Sequence, residues 1–116
     1  MKRVLRSASL IALVAGLASA ADVSGILMDK MCSAKAVQGG QKAATDHTRQ
    51  CALMPPCQQS GYGVFTSDNR YLTFDEGGNA KALAALKGSS KKDNLQITVM
   101  GDVQGDTIKV ATLKLQ

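Results

Sequence analysis

The chain has 116 residues, 14 lysines and arginines against 9 aspartates and glutamates, a formal net charge of +5, and no tryptophan. That length suits one domain with a modest core. Three of the basic residues, Lys2, Arg3 and Arg6, sit in a leader-like segment, so the rest carries 11 basic against 9 acidic residues, a net +2 that gives no ground for a nucleic-acid partner.

Residues 1–20 have the three parts of a secretory signal peptide. Lys2, Arg3 and Arg6 precede an apolar run from Leu10 to Leu17, and Ala18-Ser19-Ala20 supplies small residues for cleavage before Ala21. The apolar run is shorter than the ~20 residues that span a bilayer, so no stable membrane insertion is expected after cleavage. The expected location is periplasmic or secreted, and residues 21–116 are expected to form a single domain.

Residues 22–28 predict a first strand with Val23, Gly25 and Leu27 on one face. Residues 29–60 form a polar insert holding Cys32, His47, Cys51 and Cys57. Short helices fit there, with Ser33 capping 34–37, Thr45 capping a turn through Leu53, and Pro55-Pro56 ending that second helix. A hairpin follows, 62–67 and 70–75, about an Asp68-Asn69 two-residue turn. That pairing puts Phe65, Leu72 and Phe74 on a core face and Tyr62, Val64, Tyr71 and Thr73 on the other. Asn79 is a fitting N-cap for a helix over 80–87, with Gly88 just past its end. Residues 89–93 read as a solvated basic loop. Alternation predicts closing strands over 94–103 and 107–115, around a Gln104-Gly105-Asp106 turn.

The expected fold is mainly β with one helix, in the order β-β-β-α-β-β: a small OB-fold-like five-stranded barrel or sheet with a Cys-rich, partly helical insert after the first strand. An open sheet backed by one helix has the same order.

Gly25-Ile26-Leu27-Met28-Asp29-x-x-Cys32, His47-x-x-x-Cys51, Cys57, Ser60-Gly61-Tyr62-Gly63 and the closing Ile97-Thr98-Val99 and Gly105–Val110 segments resemble a group of uncharacterised small secreted bacterial proteins with an OB-like domain. The resemblance covers nearly all of residues 21–116 and implies fold and export; it implies no catalytic activity. The five-residue gap between Cys51 and Cys57 is wider than is common in that group.

Chemistry concentrates in C-x14-H-x3-C-x5-C: Cys32, His47, Cys51 and Cys57. His47 and Cys51, four apart, share a face if residues 46–53 are helical. Three thiolates and an imidazole complete a tetrahedral zinc site, and soft sulfur also suits cuprous copper, toward which Met28, Met31 and Met54 lean. In an oxidising compartment the alternative is one disulfide plus one leftover thiol, stapling an OB-like binding module. A thiol redox protein is the third reading, with Lys30 and Lys35 near Cys32, or His47 and Arg49 near Cys51, lowering a thiol pKa; no C-x-x-C motif supports it. No hydrolytic triad and no phosphate loop is present, so no catalytic residue is assigned and the sequence leans away from an enzyme. A second candidate site is a ligand-binding face carrying Tyr62 and Tyr71, on which a saccharide or a protein partner would pack. Cofactors other than zinc or copper are not expected.

Overall fold

A computed structural model describes residues 19–116. Residues 1–18 of the expected leader lie outside the described residues, and Ser19 and Ala20 begin the first strand. The elements in chain order are β1 (Ser19–Asp29), α1 (Lys30–Thr45), α2 (Arg49–Ala52), α3 (Pro55–Ser60), β2 (Tyr62–Thr66), β3 (Tyr71–Phe74), α4 (Glu76–Gly88), β4 (Gln96–Gln104) and β5 (Thr107–Leu115).

The strands close into a barrel in the order β1-β2-β3-β5-β4, with β4 returning to β1. All pairings are antiparallel except β3 with β5, which is parallel. The result is a small OB-like barrel rather than an open sheet. The expected strand order and the helix between the third and fourth strands are present. The helix count differs, because the insert folds into three helices.

Inside the barrel, Leu27, Val64, Leu72, Phe74, Leu95, Ile97, Val99, Ile108 and Val110 pack with Ala82 and Leu86 of α4. The inward set on β5 changes parity, from Ile108 and Val110 to the half-buried Leu113 and Leu115. A bulge produces that change: Met100 pairs with Thr112 and Gly101 with Val110, leaving Ala111 extra. A second apolar cluster lies outside the barrel, where α1 crosses the sheet and buries Ile26, Met28 and Phe65 against Ala36 and Ala44. β1 is therefore apolar on both faces in its second half.

The hairpin departs from the expected register. Val64 pairs with Leu72 and Phe65 with Tyr71, and the Thr66 N–H donates to the Arg70 carbonyl, which makes a three-residue loop. Asn69 takes φ 62°, closing the loop in the left-handed region, and its N–H bonds the Thr66 carbonyl. This is a type I turn followed by an αL residue, with Asn doing what Gly commonly does. One added loop residue reverses the pairing parity, so Tyr62, Val64, Leu72 and Phe74 point inward and Phe65 and Tyr71 point out beneath α1.

The helix ends also differ from expectation. Asp29, not Ser33, caps α1, and Thr48, not Thr45, caps α2. Pro55-Pro56 opens α3 instead of closing α2, because proline's fixed φ and missing N–H suit the first helical turn. α4 starts four residues before Ala80. Asp75 caps it, its Oδ1 accepting from the Gly78 and Val110 N–H groups and tying the helix to β5. Asn79 lies within α4, where its Oδ1 accepts the Tyr62 N–H. No described helix is long and apolar enough to cross a membrane.

Candidate metal centre at the rim of the barrel

The site forms where β1 ends and β2 begins. These strands pair, Asp29 opposite Tyr62, so the insert leaves and returns at one rim. The first turn of α1 has N–H groups that no helical carbonyl satisfies. Lys30 N–H donates to the Gly61 carbonyl at 2.8 Å, Met31 N–H to Ser60 Oγ at 3.2 Å, and Cys32 N–H to Asp29 Oδ2 at 3.0 Å. Ser60 Oγ in turn donates to the Cys57 carbonyl at 2.7 Å. Gly61 ends α3 with φ 85°, a conformation open to glycine that aims its carbonyl at α1. These bonds dock the start of α1 onto the end of α3 and bring Cys32 to Cys57.

One carboxylate oxygen of Asp29 and the sulfurs of Cys32 and Cys57 lie within 4.8 Å of one another, a group able to hold a metal ion. Asp29 and Cys57 are buried and Cys32 is half-buried. Asp29 Oδ1 accepts a 2.7 Å hydrogen bond from His47 Nε2. The Cys32 N–H thus serves one carboxylate oxygen and the His47 imidazole the other, while both sulfurs also face the group. His47 is 8% exposed and sits just past the end of α1, which carries it back over β1.

The charges are coupled. Burial alone would raise the Asp29 carboxyl, but the hydrogen bond and charge of His47 and the Cys32 N–H outweigh it and hold the group below its ordinary 3.8. Burial first, then the Asp29 charge, pushes the Cys32 thiol up to about 12, with smaller contributions from Cys57 and Cys51. The same two leading causes push Cys57 up. Both thiols lie within hydrogen-bonding reach of the Asp29 carboxylate.

Of the four residues singled out in the sequence, Cys32 and Cys57 enter the group within 4.8 Å. His47 reaches it through Asp29. Cys51 is half-buried on α2, where its N–H donates to the capping Thr48 Oγ1, and it is close enough to act electrostatically on both other sulfurs. All three cysteines are free thiols. Met28 is buried in the cluster under α1, while Met31 and Met54 are exposed. Sequence reasoning placed Asp29 in the G-x-L-x-D-x-x-C motif but not among the site residues. The signal was its place three residues before Cys32, which makes it the helix cap and aims its carboxylate at the first turn.

Tyr62 and Tyr71 do not share a face. Tyr62 is 2% exposed inside the barrel, its hydroxyl donating to the Ala52 carbonyl at 2.7 Å. Tyr71 is packed beneath α1, its hydroxyl donating to the Met28 carbonyl at 3.1 Å. The one-residue change of hairpin register separates them, so the pair offers no stacking platform.

No protein-family model, curated protein or solved structure matches this chain.

Proposed function

We propose that this is a small exported metal-binding protein that holds zinc at the barrel rim. Cys32, Cys57 and Asp29 are its ligands, His47 orients the carboxylate, and Cys51, which acts electrostatically on both sulfurs, is the candidate fourth ligand. The observation that carries this reading is the approach of a carboxylate and two sulfurs to within 4.8 Å in a buried setting. Thiolates with a carboxylate make a donor set for a borderline divalent cation, and the carboxylate disfavours cuprous copper. The carboxylate–histidine bond is the arrangement that commonly fixes a ligand at zinc sites. Export is supported by the basic, apolar and small-residue segments of residues 1–20. A saccharide- or protein-binding module on the outer face of β2 and β3 is less favoured, because α1 lies across that face.

Native mass spectrometry of metal-free protein titrated with zinc tests the reading. One bound zinc is expected. Cys32→Ser and Cys57→Ser should lose it, and His47→Gln should weaken it by about 10–100-fold, as removal of an outer partner does. Failure of the wild-type chain to retain zinc against a competing chelator, or preference for cuprous ion under reducing conditions, would overturn the zinc assignment.

A further inference from the structure

We infer that Cys32 and Cys57 form an oxidisable pair, and that their disulfide and the bound cation exclude one another. The pair stands on geometry alone; only the competition rests on the metal-binding reading. The two sulfurs lie within 4.8 Å, while Cys51 is outside that group. A disulfide needs ~2.05 Å between sulfurs and Cα atoms within roughly 7 Å. The backbones are already held side by side by Lys30 N–H to the Gly61 carbonyl, Met31 N–H to Ser60 Oγ, and Ser60 Oγ to the Cys57 carbonyl. Closure therefore asks for side-chain rotation and leaves the helices in place.

Access sets the order of events. Cys32 is half-buried and Cys57 buried. An oxidant of the disulfide class, R–S–S–R, is attacked first by the thiolate form of Cys32, a small fraction of the metal-free protein at neutral pH, giving a mixed disulfide and one departing R–S⁻. The Cys57 sulfur then attacks Cys32, forming the internal S–S bond and expelling the second R–S⁻. Two sulfurs lose one electron each and the oxidant's disulfide gains both. From the metal-loaded form the cation leaves, having lost two anionic ligands. From the metal-free form the two thiol protons leave with the departing groups as two R–SH. The cation site thus exists only while this pair is reduced.

The test equilibrates the metal-free and zinc-loaded full chain with glutathione disulfide. Readouts are intact mass, peptide mapping of the bridge, and released zinc measured with a chromogenic chelator. The expected result is loss of two hydrogens, a bridge mapped to Cys32–Cys57, Cys51 still alkylatable, and one zinc released per bridge. Metal-free Cys51→Ser should form the same bridge as metal-free wild type, whereas Cys32→Ser and Cys57→Ser should form no such bridge. A bridge to Cys51, or three alkylatable thiols after equilibration when a urea-unfolded control oxidises, overturns the inference. If the Cys32–Cys57 bridge forms but zinc is never retained, the pair stands and the metal reading fails. If zinc binds and no bridge forms, the pair fails and the metal reading stands.

Discussion

Asp29 is where the competing demands of this chain meet. It is fully buried, caps α1, accepts from His47, and faces two sulfurs. A buried carboxylate is stable only when paired, and breaking such a pair by removing one partner costs about 3–5 kcal/mol. Asp29→Ala should destabilise the metal-free fold by that order, measured by urea unfolding at neutral pH. The acid dependence has a defined sign. The Asp29 carboxyl is held below its ordinary 3.8, so its stabilisation is fully present above that value and is lost as the pH falls through the depressed one. Unfolding at pH 7, 5 and 3 should show wild-type stability dropping in the acid step, and Asp29→Asn, weaker at pH 7, should drop less. The raised thiols lead to a second outcome. With Cys32 pushed up to about 12 and Cys57 also raised, both sulfurs carry protons at neutral pH, so zinc uptake should release about two protons. Calorimetry in buffers of different ionisation enthalpy counts them, and a count near zero would mean that these sulfurs are not ligands.

At the scale of elements, the helix laid across β1, β2 and β3 separates this barrel from an open binding platform. Phe65 shows how it is held: the side chain is 0% exposed, between the sheet and Ala36 and Ala44 of α1. Phe65→Ala should cost about 3–5 kcal/mol. It should also raise hydrogen exchange in α1 more than in β4 and β5, because the cavity opens on the helix side. Gly40 interrupts α1 with φ 76°, and Gln41 after it donates from Nε2 to the Thr66 carbonyl at 2.8 Å and to Asn69 Oδ1 at 2.9 Å, pinning the helix to the hairpin. The strands and α4 were legible because alternation and turn residues are local signals. Even the β5 bulge left a trace, in the shift of inward residues from Ile108 and Val110 to Leu113 and Leu115. The hairpin faces were not legible, since Asp68-Asn69 fits a two-residue loop as well as a longer one with Asn69 in the left-handed region. The insert's helix ends misled for a similar reason: Ser33, Thr45, Thr48 and Asp29 are all competent caps, and docking of α1 on α3 selects Asp29 and leaves Ser33 bonding back to the Lys30 carbonyl. Asp29 was visible only as a residue of the G-x-L-x-D-x-x-C motif, because its place beside the sulfurs comes from the strand–helix junction, while Cys32 and Cys57 were visible from their chemistry alone.

The whole molecule has two parts of unequal independence. The barrel closes through β1–β4 and β3–β5, and its interior of Leu27, Val64, Leu72, Ile97, Val99 and Ile108 owes nothing to the sulfurs. The insert has mainly small buried residues of its own, Ala36, Ala44 and Ala52, and relies on the rim hydrogen bonds and on packing against the barrel's outer face. Removing the metal should therefore loosen the insert without dissolving the barrel, unlike small zinc domains that unfold outright. A cation that binds only the folded chain adds about 2.7 kcal/mol at a hundredfold excess over its Kd. In a domain of this size 1 kcal/mol shifts Tm by roughly 4–8 °C, so saturating zinc should raise Tm by about 10–20 °C, reversibly on chelation. Hydrogen exchange should place the largest gain in protection at residues 30–32 and 57–61, with β4 and β5 little changed. If chelation instead melts all five strands together at room temperature, the barrel core is not self-sufficient, and scaffold and site fold as one unit.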